Sequence, residues 1–116
     1  MSNYHEPAEE LSKETRDFSR ALNSLKEEIE AVDWYQQRVD VTSDQNLKPI
    51  LEHNRVEEIE HACMTLEWLR RNMPAWDEEL RNYLFKNGEI THHEPDEDGD
   101  KNEAKRLGDL NIGTLK

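Results

Sequence analysis

Glu58 and His61 are the two residues of this sequence best suited to chemistry. They stand three positions apart, so on a helix both side chains reach one point in space. The stripe they share reads Leu47, Leu51, Asn54, Glu58, His61, Thr65, Trp68, in steps of four and three. A carboxylate on such a stripe needs a counter-charge once it is buried, and a metal ion supplies one. The competing reading is an ordinary ion pair on the surface of a charged helix. Zinc peptidase motifs do not apply. His-Glu-x-x-His is absent, and the inverted form would need a histidine where Glu57 stands.

Long helices are needed to hold such a pair, and the glycines permit them. All four fall at Gly88, Gly99, Gly108 and Gly113, which leaves residues 1–87 without one. The spacing predicts a first helix from about Ala8 to about Val39. Its seam is Leu11, Phe18, Leu22, Leu25, Ile29, Val32 and Val39, with Thr15 and Gln36 in the gaps. Alternating steps of three and four belong to a helix lying almost parallel to a neighbour. Asp40 to Asn46 is rich in turn and cap formers. A second helix is expected from about Gln45 to Asn72, with Pro49 in or near its first turn. It carries a further apolar stripe of Val56, Ile59, Cys63, Leu66 and Met73. Pro74 ends it and can open a third helix bearing Trp76, Leu80, Tyr83 and Leu84, with Gly88 just past its end. No run alternates as a strand would. The fold class is therefore all-α: two long antiparallel helices plus a short C-terminal one. That is half of a four-helix bundle, and dimerisation is the simplest way to complete it.

On the first helix Glu28 flanks the seam between Leu25 and Ile29. In an antiparallel pair it should lie at about the height of residues 58 to 61. One chain then offers a Glu and a Glu-x-x-His, the half-set used by di-iron carboxylate bundles. Two chains related by a twofold axis offer all six ligands, so the site is expected only at a dimer interface. Glu27 and Glu30 read either as a solvated acidic face or as groups drawing cations toward that site. Trp34 and Tyr35 read as core or interface aromatics. Cys63 reads as a small buried residue. His5, His53, His92 and His93 have no convergent carboxylates and are given no role.

Composition narrows the classes. Lys and Arg number 15 against 27 Asp and Glu, a net charge of −12 over 116 residues. No stretch supplies the cationic footprint that nucleic acid requires. The hydrophobic share is 34%, thin for a lone globular chain, which again points to self-association. The longest apolar runs, Ala62 to Met64 and Tyr83 to Phe85, are three residues, too short to span a membrane. Met1 to Pro7 is polar and acidic, unlike a secretory signal. Cys63 is the only cysteine, which excludes an internal disulfide and suits the cytosol. No aromatic residue follows Thr91, and Glu94 to Asp100 reads as a solvated linker. A helical hairpin domain over 1–90 and a flexible acidic tail over 91–116 are expected.

At Glu27-Glu-Ile-Glu-Ala-Val-Asp-Trp-Tyr35 and at His53-Asn-Arg-Val-Glu-Glu-Ile-Glu-His-Ala-Cys-Met-Thr-Leu-Glu-Trp-Leu-Arg-Arg71, the chain closely resembles the encapsulated ferritins. The likeness covers most of residues 7–90 and again the last ten. It implies a ferritin-like half-bundle that oxidises ferrous iron with dioxygen and feeds iron storage inside an encapsulin shell. The implied centre holds two irons per dimer interface between Glu28, Glu58 and His61 of each chain. The resemblance also implies a secondary metal site at Glu27 and Glu30, near Trp34, where calcium or zinc can sit, and places Tyr35 beside the irons. It implies homodimers joined in an annular decamer. Leu107-Gly-Asp-Leu-Asn-Ile-Gly-Thr-Leu-Lys116 is similar to the short peptides that load cargo onto the encapsulin wall. Leu110, Ile112 and Leu115 space apolar groups along an extended strand, and Gly113 disfavours a helix. Thr114 stands where the family form has serine, which keeps the hydroxyl. The implied location is cytoplasmic, inside the nanocompartment. Two rival functions stay open: a di-iron protein that removes peroxide, and a non-enzymatic helical assembly or cargo protein.

Overall fold

The computed structural model describes residues 4–92, and within them every regular element is helical. A single 3-10 turn at Ala8–Glu10 precedes α1 (Lys13–Val41), α2 (Leu47–Asn72) and α3 (Pro74–Tyr83), and a second short turn lies at Ile90–His92. The described chain falls into two compact units that divide between Asp77 and Glu78, inside α3. The expected tail over 91–116, with its loading peptide, lies outside the described residues except for Thr91 and His92.

Helix ends explain where the elements depart from expectation. α1 begins at Lys13 and not near Ala8 because Ser12 is the better cap. Its hydroxyl accepts the Thr15 N–H at 3.0 Å, whereas Pro7 offers no side-chain acceptor. The Arg16 guanidinium donates to the Ala8 carbonyl and ties the 3-10 turn to α1. α1 runs two residues past Val39 and closes on Thr42, whose N–H donates to the Arg38 carbonyl at 3.1 Å. Asp44 then launches α2. Its carboxylate accepts the Asn46 and Leu47 N–H groups at 2.8 and 2.9 Å. Those two bonds, Leu47's above all, hold the Asp44 carboxyl below its ordinary range. Pro49 sits in the first turn of α2, where a missing N–H goes unnoticed. Met73 is extended, as the residue before a proline prefers, and Pro74 opens α3 as expected. α3 stops at Tyr83, short of Gly88. Phe85, fully exposed, adopts φ 60°, so the left-handed turn is made before the glycine is reached. Phe85 buries nothing that would reward a further helical turn.

α1 and α2 pack against each other as an antiparallel hairpin. Climbing α1, Phe18 meets Trp68, Glu28 meets Thr65 and Gln36 meets Arg55. Partners on α2 fall as residues on α1 rise. The Phe18 and Trp68 rings meet edge-on, with centroids 5.8 Å apart. Only Val39 and Leu69 are fully buried apolar residues among those described. Ile29, Val56, Ile59 and Met64 keep between 44% and 58% of their surface in water. The pair of helices covers one seam and leaves a second apolar band open.

Candidate metal centre

Glu58 and His61 lie mid-way along α2, on successive turns of the face turned partly toward α1. The His61 Nδ1 stands 3.6 Å from Oε1 of Glu58. The glutamate side chain is 27% exposed and the imidazole 43%, so neither is sealed from an incoming ion. The pair offers an oxygen and a nitrogen donor to one point, a set that suits a first-row transition metal. Its local geometry follows from three-residue spacing on a regular helix.

Glu28 comes from α1 and is half-buried. Its Oε1 accepts a hydrogen bond from the Thr65 hydroxyl at 3.2 Å. Thr65 lies one turn beyond His61 on the same stripe, so Glu28 stands at the level of that turn. Within one chain, no three His, Cys, Asp or Glu side chains among the described residues lie close enough to hold a metal. The hairpin thus sets a Glu and a Glu-x-x-His along one side without gathering them into a closed site.

A profile of the EncFtn-like family matches residues 3–87. The chain belongs to the EncFtn-like family. A Thermotoga maritima protein named ferritin-like protein is 60% identical over 112 residues, covering 97% of this chain and 96% of that one. A Rhodospirillum rubrum protein named encapsulated ferritin-like protein is 51% identical over 121 residues, covering 97% and 86%. The crystal structure of a Nitrosomonas europaea protein superimposes with a TM-score of 0.75 at 59% identity. It covers 78% of this chain and the whole of that one. A ferritin-like helical half-bundle is therefore the fold of this EncFtn-like chain.

The remaining candidates of the EncFtn-like chain spread along α1. Glu27 and Glu30 are exposed. Trp34 is half exposed and lines an open groove with Gln37, Arg38 and Val41. Tyr35 is half-buried beneath Arg38, whose guanidinium carbon lies 5.0 Å from the ring centroid, a cation–π contact. Leu110, Ile112, Gly113, Thr114 and Leu115 lie outside the described residues, as does His93. His5 and His53 are exposed, and His53 faces only Glu57, at 3.8 Å.

Cys63 corrects an expectation, because it is exposed, not buried. Its stripe, with Val56 and Ile59, is the one that α1 does not cover. Two features of this EncFtn-like chain were not read from its sequence. One is the hydrogen bond from Thr65 to Glu28, since the spacing marks Thr65 only as a member of the stripe. A hydroxyl among carboxylates and imidazole was the available signal. The other is an ion-pair cluster at the end of α2. There Glu67 accepts from Arg70 and Arg71, and Arg70 also reaches Asp77.

Proposed function

We propose that this chain is a ferroxidase, oxidising Fe(II) to Fe(III) with dioxygen at a di-iron site shared by two copies. The observation that carries the reading is the Glu58–His61 pair, 3.6 Å apart on the side of the hairpin that also bears Glu28. Glu28, Glu58 and His61 of each chain would hold two ferrous ions as substrate. Carboxylate oxygens favour the ferric product, and each iron gives up one electron to dioxygen. The uncovered apolar band gives a second copy a reason to dock, and the names of the relatives support an iron-handling role within a shell.

On this reading Glu27 and Glu30 attract iron from solvent, Trp34 borders that path and Tyr35 lies near the irons. Dimers join in an annular decamer. The peptide ending in Leu110, Ile112, Gly113, Thr114 and Leu115 docks the assembly inside an encapsulin compartment, where the ferric product is stored.

The test is anaerobic loading with ferrous iron followed by air, with oxidation read optically. Wild-type protein should oxidise iron well above the uncatalysed rate, and Glu58→Ala and His61→Ala should lose most of that excess. Three equal, uncatalysed rates would leave the chain a structural cargo protein. Rapid consumption of peroxide without accumulating ferric mineral would make it a detoxifying one.

A further inference from the structure

We infer that Thr65 is a positioning residue of the proposed iron site, orienting Glu28 through its side-chain hydroxyl. The inference rests on the ferroxidase reading and deepens it.

Glu28 is the one ligand of the set that comes from α1, so it must be aligned with Glu58 and His61 across a helix–helix boundary. Its side chain has three rotatable bonds and, on a half-buried surface, several ways to point. The Thr65 Oγ1 donates to Oε1 of Glu28 at 3.2 Å, between residues 37 apart in sequence. A threonine inside a helix commonly gives its single hydroxyl proton to the carbonyl four residues earlier, which here belongs to His61. In this structure Thr65 sends it across to α1. Both partners are partly buried, so water competes less for the bond than it would on an open face.

Location makes the contact more than a packing detail. Thr65 sits one helical turn beyond His61 and two beyond Glu58 on their stripe. One side chain therefore ties the α1 carboxylate to the helix that carries the other two ligands. A carboxylate accepts several bonds, so tethering Oε1 leaves Oε2 for a metal. Hydrogen-bonded supports of this kind typically set ligand direction, and their loss costs about 10- to 100-fold in affinity or activity.

The test compares Thr65→Val, which keeps the shape and removes the hydroxyl, with Thr65→Ser, which keeps the hydroxyl and loses a methyl group. The probe is anaerobic titration with Co(II), read by its visible absorption, alongside aerobic oxidation of Fe(II). Thr65→Val should weaken Co(II) binding by roughly tenfold and slow iron oxidation. Thr65→Ser should stay near wild type in both, and metal-free assembly of both variants should match the parent. Adding Thr65→Val to Glu28→Gln should cost nothing further. Equal behaviour of Thr65→Val and wild type overturns the inference alone, as does an equal loss in both variants. Wild-type protein that neither binds Co(II) nor oxidises iron overturns the ferroxidase reading and the inference with it.

Discussion

Arg70 at the end of α2 grips Glu67 on its own helix with two nitrogens, at 2.8 and 2.9 Å, and reaches past the Met73–Pro74 turn to Asp77. One guanidinium thereby joins the last turn of α2 to the first turn of α3. Its planar fork suits this bridging in a way that a lysine ammonium does not. Being doubly paired, Arg70 is pushed upward from its ordinary value, and Glu67 is pushed down.

Acid should loosen this joint. Bonds from Arg70, then Arg71, hold the Glu67 carboxyl at about 2, against an ordinary 4.5. A depressed carboxylate binds fewer protons in the native state than in the unfolded one. Its contribution is therefore complete above about pH 4.5 and is lost as pH falls toward 2. The side chain is 41% exposed, so screening keeps the contribution under ~1 kcal/mol. Glu67→Gln should flatten the melting-temperature profile across that window. Parallel profiles for variant and parent would refute this.

The Phe18–Trp68 contact anchors the far end of the hairpin. Phe18→Leu keeps an apolar side chain and removes the edge-to-face pairing, so it should cost about 0.5–1.5 kcal/mol. Denaturant unfolding at fixed protein concentration measures it, and Trp68 fluorescence reports the same transition. An unchanged midpoint would mean the pairing adds nothing beyond burial.

Ile29 and Ile59 lie on the uncovered band, 57% and 44% exposed. If a second copy covers them, Ile59→Asp should remove about 1.5–3 kcal/mol of buried apolar surface and add an unpaired charge. Sedimentation should then show a smaller species than the parent. A parent-sized assembly would place the interface elsewhere.

If the proposed ligands are shared between chains, metal binding is coupled to assembly. Ferrous iron under nitrogen, at a hundredfold excess over its dissociation constant, should stabilise the assembly by ~2.7 kcal/mol and so lower the protein concentration at which the parent associates by about a hundredfold. Glu58→Ala should not respond. Light scattering over a dilution series decides it, and identical curves with and without iron would break the coupling.

Removing residues 107–116 should leave iron oxidation intact and abolish capture by a co-expressed encapsulin shell. Retention of the shortened chain in purified shells would assign loading to another segment.

Much of this architecture can be read from local rules. The steps of three and four along α1 and α2, and Pro74 between α2 and α3, require no knowledge of distant contacts. The approach of Glu58 to His61 is likewise a property of one helix. What escapes the sequence depends on competition or on register. Ser12 outbids Pro7 for the start of α1 only because its hydroxyl finds the Thr15 N–H. Thr65 faces Glu28 because side-chain sizes along the seam fix how far α1 slides on α2, which no single segment encodes. Cys63 sits on one of two apolar stripes, and only packing shows which of them α1 covers.

With only Val39 and Leu69 buried among the described apolar residues, a newly made hairpin carries almost no interior of its own. If a second copy completes the core, as proposed above, its last folding step is an encounter, and its rate rises with the square of chain concentration. Dilute chains wait with Ile29, Val56, Ile59 and Met64 exposed, open to wrong partners as well as right ones. Synthesis in bursts, or from messages translated close together, favours the correct pairing, and a slow trickle of chains favours misassembly.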